Sequence, residues 1–94
     1  MRYIDVTWFH ENKADPVRLM SELDRNGYET RKLEFFIDGG VGFAHVTAAS
    51  MAVELGSVPV PPLDEINAHA EFSGVEICQA DFEQAWRQAL GNQC

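Results

Sequence analysis

Beyond Lys32 the chain holds a single basic residue, Arg87, against nine acids: Glu34, Asp38, Glu54, Asp64, Glu65, Glu71, Glu76, Asp81 and Glu83. Up to Lys32, six acids (Asp5, Glu11, Asp15, Glu22, Asp24, Glu29) balance six bases (Arg2, Lys13, Arg18, Arg25, Arg31, Lys32). The formal charge of −8 therefore belongs to the second half. Such a field repels nucleic acid and anionic membrane and speeds encounter with a basic partner, while plain solubility is the bland alternative. No apolar run approaches the ~20 residues of a membrane-spanning helix. Met1-Arg2-Tyr3-Ile4-Asp5 lacks the apolar core of a signal peptide, so a cytoplasmic protein is expected. Cysteine is scarce. Cys78 and Cys94 form no C-x-x-C and no zinc spacing, which argues against a disulfide framework or a thiolate metal site.

What remains is enough for one domain over residues 1–94, with one core but no room for a deep substrate cavity as well. Ile4, Val6 and Trp8 alternate with Tyr3, Asp5, Thr7 and Phe9, predicting a strand over Arg2–Phe9. His10 to Asp15 reads as a polar loop closed by Asp15-Pro16. Val17, Leu19 and Leu23 alternate with Arg18, Met20, Glu22 and Asp24, and Asn26-Gly27 is a strong hairpin signal. A return strand over Tyr28–Asp38, a turn at Asp38-Gly39-Gly40 and a short strand through Val41, Phe43 and His45 follow. Short connections make an antiparallel meander of about four strands the economical topology. Asp5, Thr7, Arg18, Glu22, Lys32 and Glu34 are expected to share one solvated face as cross-strand ion pairs. Tyr3, Phe9, Met20, Tyr28 and Phe36 fall on that face too, so a later segment or a partner must cover it.

Val46 to Ser57 is open between a turn or two of helix and a loop. Val58-Pro-Val-Pro-Pro62 is extended by necessity, and a rigid connector laid over the core is the simplest reading. Pro62 suits the first turn of a short helix from Leu63 to about His69, with Asp64 and Glu65 at its positive end. Glu71 to Ile77 reads as a short strand or extended return. Phe82, Trp86 and Leu90, with Ala85 and Ala89 beside them, form the apolar stripe of a helix over Ala80–Leu90 that packs on the sheet. The expected class is α+β: a β-meander with a C-terminal helix and a short additional helix.

Chemistry is hard to find. His10, His45 and His69 with Ser21, Ser50, Ser57, Ser73 and Cys78 occur in no nucleophile-elbow or metal-ligand pattern. Gly39-Gly40-Val41-Gly42 lies between strands, with no helix N-terminus or lysine behind it, so it is a turn rather than a phosphate loop. Asp64-Glu65 is explained by the helix dipole. No catalytic residue, cofactor or metal is expected.

Tyr3-Ile-x-Val-x-Trp8 with His10, Asp15-Pro16, Ser21-Glu-Leu-Asp24 and Tyr28-Glu-x-Arg-Lys32 form a specific pattern. Glu34, Phe36, Asp38-Gly39, Gly42, Leu55-Gly56, Val58-Pro-Val-Pro61 and Leu63-Asp-Glu-Ile-Asn67 continue it. Glu71-Phe72, Glu76-Ile77, Phe82-Glu83 and Trp86 complete it. From Met1 to about Trp86 the chain resembles a small bacterial family, a domain of unknown function whose members look like immunity proteins encoded beside polymorphic toxins, including contact-dependent growth-inhibition systems. The resemblance implies a cytoplasmic, non-enzymatic protein that binds and blocks one cognate toxin domain. Two features depart from it. Cys78 stands where a Ser caps the last helix, and Val46 to Val53 matches nothing in the pattern.

The charge adds that the toxin is a basic nuclease whose active site the protein occludes, through Glu54, Asp64, Glu65, Glu71 and Glu76, with the segment around Met51. The alternative is a stand-alone regulatory or adaptor domain that uses an aromatic sheet face or an exposed edge strand.

Overall fold

The computed structural model describes residues 1–46, 48–49 and 53–91. Four strands form the expected meander: β1 (Arg2–Trp8), β2 (Arg18–Leu23), β3 (Glu29–Phe35) and β4 (Val41–His45). A two-residue strand β5 (Ala48–Ala49) follows. Then come helix α1 (Leu63–Asn67), strand β6 (Phe72–Ile77) and helix α2 (Gln79–Gly91). The full sheet has six strands, ordered β5-β4-β3-β2-β1-β6, the expected meander of four being extended at both edges. The additions are β5, in the segment that could not be read, and β6, which crosses back to pair antiparallel with β1. The class is α+β.

Each turn has a local cause. The Asp24 carboxylate accepts the backbone N–H groups of Asn26 and Tyr28, and Gly27 takes φ of 86°, so the β2–β3 hairpin closes where Asn-Gly predicts. Asp38 likewise accepts the N–H of Gly40, and Gly39 has φ of 91°. In the β1–β2 loop, His10 Nε2 donates to the Pro16 carbonyl at 2.7 Å, while Nδ1 accepts the Asn12 N–H at 3.0 Å.

Residues opposed across an antiparallel ladder share a face, and this corrects the expected distribution. Met20 opposes Leu33, and Glu22 opposes Arg31. Asp5, Arg18 and Glu22 therefore share a face with Arg31, Leu33 and Phe35, whereas Lys32 and Glu34 lie on the other face with Ile4, Val6 and Leu19. Nor is the first face solvated. Tyr3, Met20 and Leu33 are buried there beneath Phe82, Trp86 and Ala89 of α2. Phe82 is 0% exposed, and its ring lies 5.3 Å from that of Tyr3. Burying one such side chain contributes about 1.5–3 kcal/mol. The aromatic stripe of α2 packs as its spacing predicts.

The second face buries Ile4, Val6 and Leu23 under Val60, Leu63, Ile66 and Phe72. The proline-rich connector lies over the core, tied by the Val60 N–H to the Gly27 carbonyl at 2.8 Å. Helix α1 approaches the sheet closely at Gly74, where an added Cβ would come within 2.9 Å of Leu63 Cδ2 and 3.2 Å of Val6 Cγ2. Among the described residues no helix is long and apolar enough to cross a membrane.

Candidate interaction surface

The densest polar cluster joins α2 to the sheet. Arg31 on β3 donates to Glu22 on β2 through Nε at 2.9 Å and Nη2 at 2.6 Å. It donates to Glu83 on α2 through Nη1 at 2.9 Å and Nη2 at 2.6 Å. Its guanidinium also lies over Phe82 and Trp86, at 4.9 and 5.1 Å from the ring centres. The Arg31 hydrogen bonds outweigh burial and hold the Glu22 carboxyl at about 2, with Thr30 and Tyr3 donating as well. Glu83 is lowered for the same first reason. Burial and then the hydrogen bond to Glu22 raise Tyr3. Every charge here is matched inside the fold, so the cluster is a clamp between layers rather than a reactive site. Glu22, expected on a solvated face, is only 7% exposed because Arg31 and α2 close over it.

The acids predicted to meet a partner are placed differently. Glu54, Asp64, Glu65, Glu71 and Glu76 are all exposed. Asp64 and Glu65 occupy α1, Glu71 precedes β6 and Glu76 lies on β6, and α1 packs against β6, so these four gather at one side of the molecule. Asp64 accepts the Glu65 N–H, and Arg2 reaches Glu76 at 3.8 Å. Among the described residues no other base comes within ion-pair distance of the four. Glu54 is separate: its backbone carbonyl accepts from Lys32 Nζ on β3, three strands away from β6 in the sheet. Met51 lies outside the described residues.

Among the described residues a groove lies on each face of the sheet. Between α2 and the sheet lies a groove of about 370 Å³ whose floor carries Arg18 in a bidentate pair with Asp5, at 2.9 and 2.7 Å, with Asp81, Gln84 and Gln88 along its wall. On the opposite face a trough of about 350 Å³ runs beneath α1, floored by Ile4, Val6, Leu19 and Phe72. Ile66, Val60 and Pro61 wall it, and Glu65 and His69 stand at its exposed margin. Inside it, Glu29 accepts the Ser21 hydroxyl at 3.0 Å and the Gly56 N–H at 2.7 Å.

His10 is engaged at both ring nitrogens, His45 packs beside Trp86, and His69 follows α1, so the three do not converge. Among the described residues no group of three His, Cys, Asp or Glu is arranged to hold a metal ion. Cys78 is exposed and free. The profile that matches residues 2–91, from β1 through α2, carries the description "Domain of unknown function (DUF6881)". The chain belongs to that family. No curated protein and no solved structure matches it. The DUF6881 match therefore spans the sheet, the Arg31 clamp and the acidic α1–β6 side together.

Proposed function

We propose that this DUF6881 member is an immunity protein of the contact-dependent growth-inhibition type. It acts in the cytoplasm without catalysis of its own, binding a cognate toxin domain, a basic nuclease, and occluding its active site. One observation carries the reading. Asp64 and Glu65 on α1, Glu76 on β6 and Glu71 just before β6 are collected on elements that pack together, and Arg2 is their only close counter-ion among the described residues. Acids in such excess over bases on one surface set up a field that steers a basic domain into place and competes for the groove that would hold phosphates. The resemblance described above supplies the partner class, and the charge supplies the sign of its surface.

Co-expression with the neighbouring open reading frame, whose product alone is expected to be toxic, is expected to restore growth and to yield a complex that co-purifies. The association rate constant falls by about tenfold or more between low and high salt, as screening shortens the reach of exposed charges. A rate indifferent to salt refutes electrostatic steering. Continued toxicity refutes the immunity reading itself.

A further inference from the structure

We infer that the trough beneath α1 is the anchor pocket of this interaction surface, taking one long apolar side chain of a basic partner whose adjoining lysine or arginine pairs with Glu65 at the mouth. The inference rests on the proposed function for its partner and adds where, and by what chemistry, that partner is held.

The trough and the groove along α2 are of similar size but opposite character. The α2 groove pairs its one cation, Arg18, with Asp5 and presents the polar side chains of Asp81, Gln84 and Gln88. The trough presents aliphatic and aromatic carbon from Ile4, Val6, Leu19, Ile66 and Phe72, and its volume of about 350 Å³ is at the lower end for a small-molecule site. Its two carboxylates are not equivalent. Glu29 is already engaged by Ser21, by the Gly56 N–H and by Lys32 at 3.5 Å. Among the described residues, Glu65 makes no side-chain hydrogen bond or ion pair, and no lysine or arginine lines the trough. An anion is repelled by this arrangement. A neutral apolar group fills the floor but leaves Glu65 partly desolvated and unpaired. An apolar stem followed by a cation satisfies both at once. Asp64 and Glu71, both exposed, adjoin the lining residues Glu65 and Phe72 in the chain. A central apolar anchor ringed by charge is the usual anatomy of a tight interface.

The test uses the full chain and hexylammonium as probe, with 1-hexanol and ethylammonium as comparators, followed by NMR. Hexylammonium is expected to shift Leu19, Ile66 and Phe72 saturably. Hexanol binds the same residues at least threefold more weakly, and ethylammonium gives no saturable shift. Glu65→Gln, an exposed change that leaves the fold alone, weakens hexylammonium binding about threefold. Leu19→Trp fills the floor and abolishes it. Absence of saturable binding, equal affinity for hexanol, or shifts confined to the α2 groove each overturn the inference. In the toxin complex, Leu19→Trp is expected to speed dissociation at least tenfold, and an unchanged rate overturns the anchor role. Failure to rescue growth would instead remove the toxin partner, leaving the probe titration to decide the pocket.

Discussion

Arg31→Met removes the guanidinium between Glu22 and Glu83 while keeping an apolar stem against Phe82 and Trp86. Glu22 is 7% exposed, so the variant leaves a nearly buried carboxylate with no cation. Breaking such a pair costs about 3–5 kcal/mol, a large share of the roughly 5–15 kcal/mol that holds a domain folded. The pH dependence separates this cause from lost packing. In the wild type, the folded-state Glu22 carboxyl lies at about 2 against an ordinary value of 4.5. Because it is lowered, its contribution of about 3 kcal/mol is complete above the ordinary value and is lost as pH falls from there towards about 2. Without Arg31, burial pushes Glu22 upward instead, so the variant gains stability as pH falls through that raised value to the ordinary one, and the wild type loses its own contribution only below it.

Urea unfolding followed by tryptophan fluorescence is expected to show a midpoint lowered by about 2 M at neutral pH, with the slope unchanged. The gap narrows by pH 3. Adding Glu22→Gln, which retains hydrogen bonds to Thr30 and Tyr3, recovers at least half the loss. A loss below about 1 kcal/mol, or an equal loss at pH 3 and pH 7, would refute the clamp as an electrostatic device.

Two further substitutions probe the two layers. Asn67→Ala removes both amide hydrogen bonds to Gly74, at 2.9 and 2.6 Å. It is expected to cost about 1–3 kcal/mol and to speed hydrogen exchange at the Gly74 amide while leaving Leu33 slow; unchanged exchange at Gly74 would contradict it. Phe82→Ala empties the centre of the α2 interface, where the ring is wholly buried. Its expected cost is about 3–5 kcal/mol by thermal unfolding, and a cost under 1 kcal/mol would contradict the packing described.

The elements legible in the sequence were those with a local cause. Asn26-Gly27 and Asp38-Gly39 announced their turns because positive φ is needed there, and Phe82, Trp86 and Leu90 announced α2 by spacing. The pairing of β6 with β1 has no local signature, since Trp8 and Phe72 meet only through the tertiary fold. The Arg31–Glu83 contact was invisible for the same reason: the two residues are 52 positions apart, and each alone reads as a solvated charge. Face assignment failed at Lys32 and Glu34 because alternation gives two faces per strand but not which faces meet across a ladder. The acids Asp64, Glu65, Glu71 and Glu76 were singled out by sign alone. Their gathering on one side depended on α1 packing against β6.

The Asn67 amide has a consequence beyond holding α1. With Val6 opposite Gly74, the Gly74 N–H and carbonyl point away from β1, towards the side where a seventh strand would be added. Asn67 meets both with one donor and one acceptor, imitating a single residue of that absent strand. Two residues before it, the Phe72 N–H is taken by the His69 carbonyl, and two residues after it stands the charged side chain of Glu76. Chain growth by strand addition is thus terminated on this side by a side chain and a charge, so copies of the protein can crowd together there without stitching their sheets into a fibre.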